Sequence, residues 1–265
     1  MARAQVRNIT MAYSDRGWGN PPIVLLHGFP LDRRMWESQV RGLYHEFRVV
    51  TPDLRGHGKS QATPGPYTME GLAEDVRALL DVLGLQRVVL GGFSMGGYVA
   101  FSFYRLYPQR VQALLLLDTR PQPDSEQAKT GREDMALLAE REGAGPIADR
   151  LIPRLLSAAT VAGNPTVVAK VRQMITETPV MGIAGDLRGL ALRRDSTDLL
   201  RGIRVPTLVV VGDQDVITPP AESEMMASTI PNATLVKIPG AGHLSNLEGP
   251  QAFTSAIRDF LRSHR

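Results

Sequence analysis

Short, unbroken apolar runs recur along the chain and alternate with segments of helical periodicity. The runs lie at residues 23–26, 47–50, 88–90, 113–117, 207–211 and 233–238. Their continuous apolar character is typical of strands that are covered on both faces, as in a parallel sheet. The helical patterns between them lie at residues 36–47, 69–83, 95–107, 221–230 and 250–261. This alternation predicts an α/β fold with right-handed crossovers.

The segment from residue 119 to 205 interrupts the alternation, because it contains no strand-like run. It contains helical patterns at residues 134–141, 147–156 and 167–175, separated by glycine, proline and asparagine. The sheet pattern resumes at residue 207, which argues against an independent helical domain. We therefore predict one α/β core domain, residues 1–118 and 206–265, with residues 119–205 inserted as a helical cap.

Composition narrows the chemistry that such a chain can perform. With 43% hydrophobic and 22% charged residues, it has the make-up of an ordinary globular protein. It contains no cysteine, which excludes a disulfide framework, a thiolate zinc site and an iron–sulfur cluster. No metal-ligand spacing and no dinucleotide fingerprint occurs, so we expect neither a metal nor a cofactor. The segment Gly58-Lys59-Ser60 resembles the end of a phosphate-binding loop, but Asp53 stands where that loop requires glycine.

The charge pattern and the chain start bear on partners and location. The net charge is +3, and the four lysines are scattered rather than gathered into a basic patch, which argues against nucleic-acid binding. The first residues lack the apolar core of a signal peptide, and no apolar run approaches the ~18 residues of a membrane span. We expect a cytoplasmic protein without membrane contact, and its oligomeric state stays open.

Ser94 is the candidate nucleophile. The segment Gly92-Phe93-Ser94-Met95-Gly96 follows a predicted strand and opens a predicted helix. A serine between two glycines on such a strand-to-helix turn has the pattern of a nucleophile elbow. The glycines leave room for the tight turn, and the helix start presents its positive dipole end to developing negative charge.

A serine needs a base, and the base needs an acid. Among the five histidines, we choose His243 as the general base because it lies in a loop after the last predicted strand. Asp215 is the predicted acid, since it lies far enough beyond the preceding strand to reach that loop. Asp213 is expected to bond backbone amides in the turn, and Asp118 is the main rival for the acid. The order Ser94, Asp215, His243 is that of an α/β-hydrolase triad.

Two backbone amides are the predicted oxyanion hole. Met95 follows the nucleophile at the helix start, and Phe29 follows His27-Gly28 after the strand at residues 23–26. His27 is then expected to organise this loop. The predicted substrate pocket is apolar, and its candidate lining residues are Phe29, Met135, Leu138, Ile183 and Leu244. Arg120 is available for a substrate carboxylate but cannot be placed from the sequence.

These motifs resemble those of the α/β-hydrolase superfamily over nearly the whole chain. The segments that carry the resemblance are His27-Gly28-Phe29-Pro30, the stretch 53–60, Gly92 to Gly97, Gly212-Asp213-Gln214-Asp215 and Gly242-His243. Within it, the chain is most similar to small carboxylesterases, 3-oxoadipate enol-lactonase-like enzymes and cofactor-free haloperoxidases. The resemblance implies a mostly parallel eight-stranded sheet flanked by helices, with a cap after the sixth strand and residues 5–13 in the first two strands. Haloalkane dehalogenases and epoxide hydrolases carry aspartate where this chain has Ser94, so the serine argues against both of these activities.

Together the motifs and the resemblance predict a serine carboxylic-ester hydrolase that acts on short-chain acyl esters through an acyl-enzyme. Hydrolysis of an enol-lactone and perhydrolysis of the haloperoxidase type are alternatives that use the same three residues. A third alternative is a hydrolase-like receptor, in which slow turnover accompanies ligand sensing. The expected partner in all cases is a small molecule, an ester or a lactone.

Overall fold

The computed structural model describes residues 1–264. Within these residues, the centre of the molecule is an eight-stranded sheet in the order β1-β2-β4-β3-β5-β6-β7-β8. Its strands are β1 (Ala2–Val6), β2 (Ile9–Arg16), β3 (Ile23–Leu26), β4 (Val49–Pro52), β5 (Val88–Phe93), β6 (Val111–Leu117), β7 (Thr207–Gly212) and β8 (Ala233–Ile238). Strand β2 pairs antiparallel with β1 and β4, and the remaining pairs are parallel. The predicted mostly parallel eight-stranded sheet is confirmed.

Helices cover both faces of the sheet, which explains the unbroken apolar runs of the central strands. They are α1 (Glu37–Leu43), α2 (Met69–Val82), α3 (Met95–Leu106), α10 (Pro220–Thr229), α11 (Ser245–Glu248) and α12 (Pro250–Ser263). In β3, Ile23 and Leu25 belong to one hydrophobic cluster with α1 and α12. Val24 and Leu26 belong to the other cluster, with α2, α3 and α10. Alternate residues of one strand thus stabilise opposite layers.

Helix α2 follows its sequence pattern closely. Thr68 caps the N-terminus, where its hydroxyl accepts a hydrogen bond from the amide of Gly71 at 3.1 Å. Gly84, two residues past the helix, has a φ of +68°, a left-handed conformation that glycine adopts without strain. The N-terminal cap and the left-handed glycine therefore account for where this helix begins and ends.

The segment between β6 and β7 is helical throughout its regular parts. Its helices are α4 (Glu126–Glu142), α5 (Gly145–Leu155), α6 (Ala158–Gly163), α7 (Pro165–Glu177), α8 (Val180–Ala191) and α9 (Thr197–Leu200). Helix α4 begins well before residue 134, where the sequence pattern predicts its start. Its first turns are polar and largely exposed, so they show no apolar periodicity in the sequence. No helix within residues 1–264 is long and apolar enough to cross a bilayer.

Helix α8 has no counterpart among the sequence-predicted helices, and its glycines explain why. A Cβ at Gly182 would lie 2.1 Å from the carbonyl oxygen of Gly56, and a Cβ at Gly189 would lie 1.7 Å from that of Tyr67. Glycine disfavours helix in a propensity argument. Here it lets the cap helix lie directly against the backbone of the core, so packing outweighs propensity.

Candidate active site

Ser94 lies at the turn between β5 and α3, in a conformation that most residues avoid. Its φ is 51° and its ψ is −113°, a strained region for a residue with a side chain. A Cβ at Gly92 would lie 2.1 Å from the carbonyl oxygen of Gly96, and a Cβ at Gly96 would lie 2.5 Å from that of Leu26. The two flanking glycines therefore permit the close approach of strand, helix and neighbouring loop, and Ser94 projects from the turn.

A continuous hydrogen-bonded chain joins the three predicted triad residues. The Oγ of Ser94 lies 2.8 Å from Nε2 of His243, and Nδ1 of His243 lies 2.8 Å from Oδ2 of Asp215. An ionised carboxylate only accepts hydrogen bonds, so Nδ1 carries the proton and Nε2 presents its lone pair to the serine. The structure thus brings together Ser94, His243 and Asp215 in the arrangement of a nucleophile, a base and an acid.

Asp215 is held as an anion by its surroundings. Its Oδ1 accepts hydrogen bonds from the amides of Ile217 at 2.7 Å and Thr218 at 3.0 Å, and its Oδ2 accepts one from the Thr218 hydroxyl at 2.6 Å. Burial alone would raise the pKa of Asp215, but the charge and hydrogen bond of His243, together with Thr218, lower it below the usual range. The carboxylate therefore stays charged and keeps the imidazole oriented.

The two other aspartates considered for the acid have different partners. Asp213 accepts a hydrogen bond from the Gly240 amide at 2.8 Å, which ties the loops after β7 and β8 together. Asp118, fully buried after β6, accepts from the Gly212 amide at 2.9 Å and from the hydroxyl of Ser245. Burial, and then the charge of Asp215, raise the pKa of Asp118 well above its usual range. Asp118 thus connects the end of β7, close to Asp215, with Ser245 in the segment that follows His243.

Asp118, Asp215 and His243 each offer one side-chain atom within 4.8 Å of the other two, a spacing that could hold a metal ion. Each of these atoms already has a protein partner, however: the Gly212 amide and Ser245 for Asp118, and the triad contacts and Thr218 for the others. We therefore assign no metal to this cluster.

Phe29 and Met95, the two predicted oxyanion-hole residues, line the same cavity as Ser94. Met95 is the first residue of α3, so its amide has no carbonyl partner within the helix. Phe29 lies in the turn closed by the Leu31 amide and the Gly28 carbonyl at 2.9 Å, and a Cβ at Gly28 would lie 3.3 Å from the Cβ of Ser94. Among the described residues, no protein group accepts a hydrogen bond from the Phe29 amide. Both amides are therefore available to a ligand.

His27 organises the loop that carries Phe29. Its Nε2 lies 2.9 Å from the Leu54 amide, which can only donate, so its Nδ1 carries the proton and donates to the carbonyl of Gly28 at 3.0 Å. Burial lowers the pKa of His27 to about 4, so the ring is neutral at neutral pH. It connects two loops, and among the described residues it has no hydrogen bond with Ser94, as the sequence predicts for a loop organiser.

A cavity of about 330 Å³ opens over the nucleophile and separates the predicted pocket residues into two groups. Phe29 and Met135 line it together with Ser94 and His243. Leu138, Ile183 and Leu244 do not line it, and they are buried in the hydrophobic core instead. Their apolar character reflects packing of the cap and the loop after β8 rather than contact with this cavity.

The cavity also has lining residues that the sequence does not place there, and of these only Arg120 is named as a candidate. The cap contributes Leu151, Leu155 and Leu187, and it also contributes three cations, Arg120, Arg132 and Arg154. The apolar residues carry no signal that separates pocket from core. The arginines stand in helical or loop sequence without a motif, and only the fold shows that they share one cavity with Ser94.

Taken together, the fold and the site define the class. A mostly parallel eight-stranded sheet carries a serine at the turn after β5, an aspartate after β7 and a histidine after β8, which is the arrangement of α/β-hydrolases. Residues 21–250 match the α/β-hydrolase fold family. The chain therefore belongs to that family.

Solved structures place the chain among hydrolases of this fold. A thermophilic esterase from Thermogutta terrifontis is 48% identical, with a TM-score of 0.97 over 100% of this chain and 99% of that one. An enol-lactonase from Burkholderia xenovorans is 33% identical, with a TM-score of 0.91 over 98% and 100% of the two chains. A bromoperoxidase from Bacillus anthracis is 25% identical, with a TM-score of 0.88 over 98% and 100%. The three groups suggested by the motifs are thus represented among its relatives.

Proposed function

We propose that this hydrolase is a serine esterase that cleaves small carboxylic esters through an acyl-enzyme. The observation that carries the proposal is the unbroken chain from Ser94 Oγ to His243 Nε2 and from His243 Nδ1 to Asp215, with both links at 2.8 Å. The similarity to the esterase of Thermogutta terrifontis supports the same reaction class.

The geometry suggests how each group acts. Ser94 attacks the acyl carbon while its proton passes to Nε2 of His243, and Asp215 stabilises the resulting imidazolium. The amides of Phe29 and Met95 donate to the oxyanion of the tetrahedral intermediate, each contributing about 3–4 kcal/mol in the transition state. His243 then protonates the leaving alcohol. A water molecule, deprotonated by His243, attacks the acyl-enzyme and releases the acid.

The test compares p-nitrophenyl butyrate hydrolysis by the wild type, Ser94→Ala and Ser255→Ala. Ser255 is an exposed serine on α12 and serves as the matched control. We expect Ser94→Ala to lower kcat by at least ~10⁴-fold with an unchanged melting temperature, since removal of the nucleophile disables the whole triad. Ser255→Ala should match the wild type. Near-wild-type turnover by folded Ser94→Ala would overturn the proposal.

Lactone hydrolysis is the second candidate, and the full-length similarity to the enol-lactonase of Burkholderia xenovorans favours it. The same acyl–oxygen bond breaks, but the leaving alcohol stays attached to the acid. The ratio of kcat/KM on an enol-lactone to that on short-chain esters separates the two substrates. Peracid formation with acetic acid and hydrogen peroxide tests the perhydrolase alternative, to which the bromoperoxidase relative points.

A further inference from the structure

The cavity above Ser94 holds more positive than negative charge. Its described lining includes three arginines, Arg120, Arg132 and Arg154, and a single carboxylate, Asp124. Such a composition is unexpected for a pocket that receives only neutral esters. Since buried charges are costly unless they are paired, the partners of each guanidinium decide which of them remain available.

Asp124 is already shared among arginines. Its carboxylate is almost fully buried and accepts a hydrogen bond from Nε of Arg132. The same carboxylate lies 2.7 Å from Nη1 of Arg193. Burial alone would raise the pKa of Asp124, but Arg132 and Arg193 lower it, so it supplies one negative charge. Arg193 also donates to the carbonyl of Gln122 and packs over the ring of Tyr98 at 4.4 Å. Asp124 is thus engaged chiefly with Arg132 and Arg193.

Arg120 and Arg154 retain free donors in the same cavity. The nearest carboxylate oxygen to Arg120 is that of Asp124 at 3.6 Å, which is an ion-pair distance but too long for a good hydrogen bond. The Nε of Arg120 is buried without any acceptor among the described residues. Arg154, on α5, has no hydrogen bond or ion pair with any residue from 1 to 264, and its side chain is exposed. A guanidinium offers a planar fork that matches a carboxylate.

We propose that Arg120 and Arg154 form an anion subsite, so that the preferred substrates are esters or lactones carrying a free carboxylate. This rests on the proposed function for the ester bond itself. The apolar residues Met135, Leu151 and Leu155 would contact the methylene chain between the two ends of the substrate. The cavity of about 330 Å³ limits that substrate to a small molecule.

The test uses two isosteric methyl esters. Monomethyl glutarate carries the carboxylate, and methyl 4-carbamoylbutanoate replaces it with a neutral carboxamide; hydrolysis with water releases methanol from both. We expect wild-type kcat/KM to favour the carboxylate by at least ~10-fold, the size of about one charge-assisted hydrogen bond. The preference should reside mainly in KM, because the subsite binds a part of the substrate that does not react.

Variants then locate the preference. Arg120→Gln and Arg154→Gln should each lower the carboxylate-to-carboxamide ratio several-fold. Arg150→Gln removes the same charge from an exposed position on the same helix as Arg154, outside the cavity lining, and should leave the ratio unchanged. Arg154 has no partner to lose among residues 1–264, so Arg154→Gln keeps the test valid even if Arg120→Gln destabilises the fold. A ratio near one in the wild type, or an equal drop in Arg150→Gln, refutes the subsite.

Binding to Ser94→Ala separates this proposal from the proposed function. Calorimetry should show that Ser94→Ala binds monomethyl glutarate at least ~10-fold more tightly than the carboxamide ester, and that adding Arg154→Gln reduces the difference. If wild type hydrolyses neither these esters nor p-nitrophenyl butyrate but this binding difference is present, the esterase proposal fails and the subsite stands. If it hydrolyses both equally and Ser94→Ala binds both equally, the subsite fails and the esterase proposal stands.

Discussion

Replacement of Asp215 by asparagine tests how the acid controls the base. Asp215 accepts four hydrogen bonds, from the amides of Ile217 and Thr218, the Thr218 hydroxyl and Nδ1 of His243. An asparagine amide nitrogen is a donor and cannot accept any of them. If the nitrogen faces the two backbone amides, both are left unsatisfied, so we expect it to face His243.

That orientation of the asparagine amide changes the tautomer of the His243 imidazole. With a donor opposite Nδ1, His243 must carry its proton on Nε2, and it can no longer accept the proton of Ser94 at 2.8 Å. A tautomer change of this kind lowers kcat by about 10⁴, or about 5.5 kcal/mol of transition-state stabilisation. We expect that loss for Asp215→Asn at neutral pH, with little change in KM for p-nitrophenyl butyrate.

Asp213→Asn is the matched control, because it also alters an aspartate that accepts a backbone amide in the same turn, here that of Gly240 at 2.8 Å. Its kcat should stay within a few-fold of the wild type. Melting temperatures recorded for both variants show whether any loss comes from unfolding. Our reasoning is refuted if folded Asp215→Asn keeps more than about a tenth of wild-type kcat, or if Asp213→Asn loses as much.

Two further predictions concern stability. Gly96→Ala should lower the free energy of unfolding in urea by about 1–3 kcal/mol, since the new Cβ would lie 2.5 Å from the Leu26 carbonyl oxygen. Gly131→Ala, in open space on α4, should instead raise it by about 0.5–1 kcal/mol. Equal effects at the two positions would contradict this prediction. Asp186→Asn should gain stability over the wild type as pH rises above about 4, by up to about 1.4 kcal/mol per pH unit. Burial raises the pKa of Asp186 well above its usual range, so the folded wild type keeps a proton, beside His57 Nε2 at 3.1 Å, that the unfolded chain releases. A difference in unfolding free energy that is constant from about pH 4 to pH 7 would contradict this prediction, because the folded wild type would then hold no extra proton at Asp186.

The sequence sufficed for those parts of the site that depend on local backbone geometry. The glycines around Ser94 indicate a tight strand-to-helix turn. The apolar run before each loop locates the end of a strand, and the site residues follow these strand ends. Asp215 and His243 follow β7 and β8 directly, so parallel pairing of these strands brings them together. Each of these inferences needs only neighbouring residues and the direction of a strand.

The pocket could not be predicted in the same way. Whether an apolar cap residue contacts substrate or core depends on how the cap helices pack, and Leu138 and Leu151 look alike in sequence although only Leu151 lines the cavity. Helix α8 was missed because Gly182 and its neighbouring glycines lower helix propensity while allowing close backbone contact. Arg154 lies far from Ser94 along the chain, and tertiary structure alone reveals their shared cavity.

Covalent labelling of the nucleophile tests the central claim most directly. The wild type is treated with a fluorophosphonate, and the adduct is counted by intact-mass spectrometry and located by peptide mapping. We predict one adduct per chain, on Ser94, with hydrolysis of p-nitrophenyl butyrate lost in proportion to labelling. His243→Gln should label far more slowly, because it lacks the base 2.8 Å from the serine oxygen. Full loss of activity with the label on another residue, or retained activity after complete labelling of Ser94, would contradict the account.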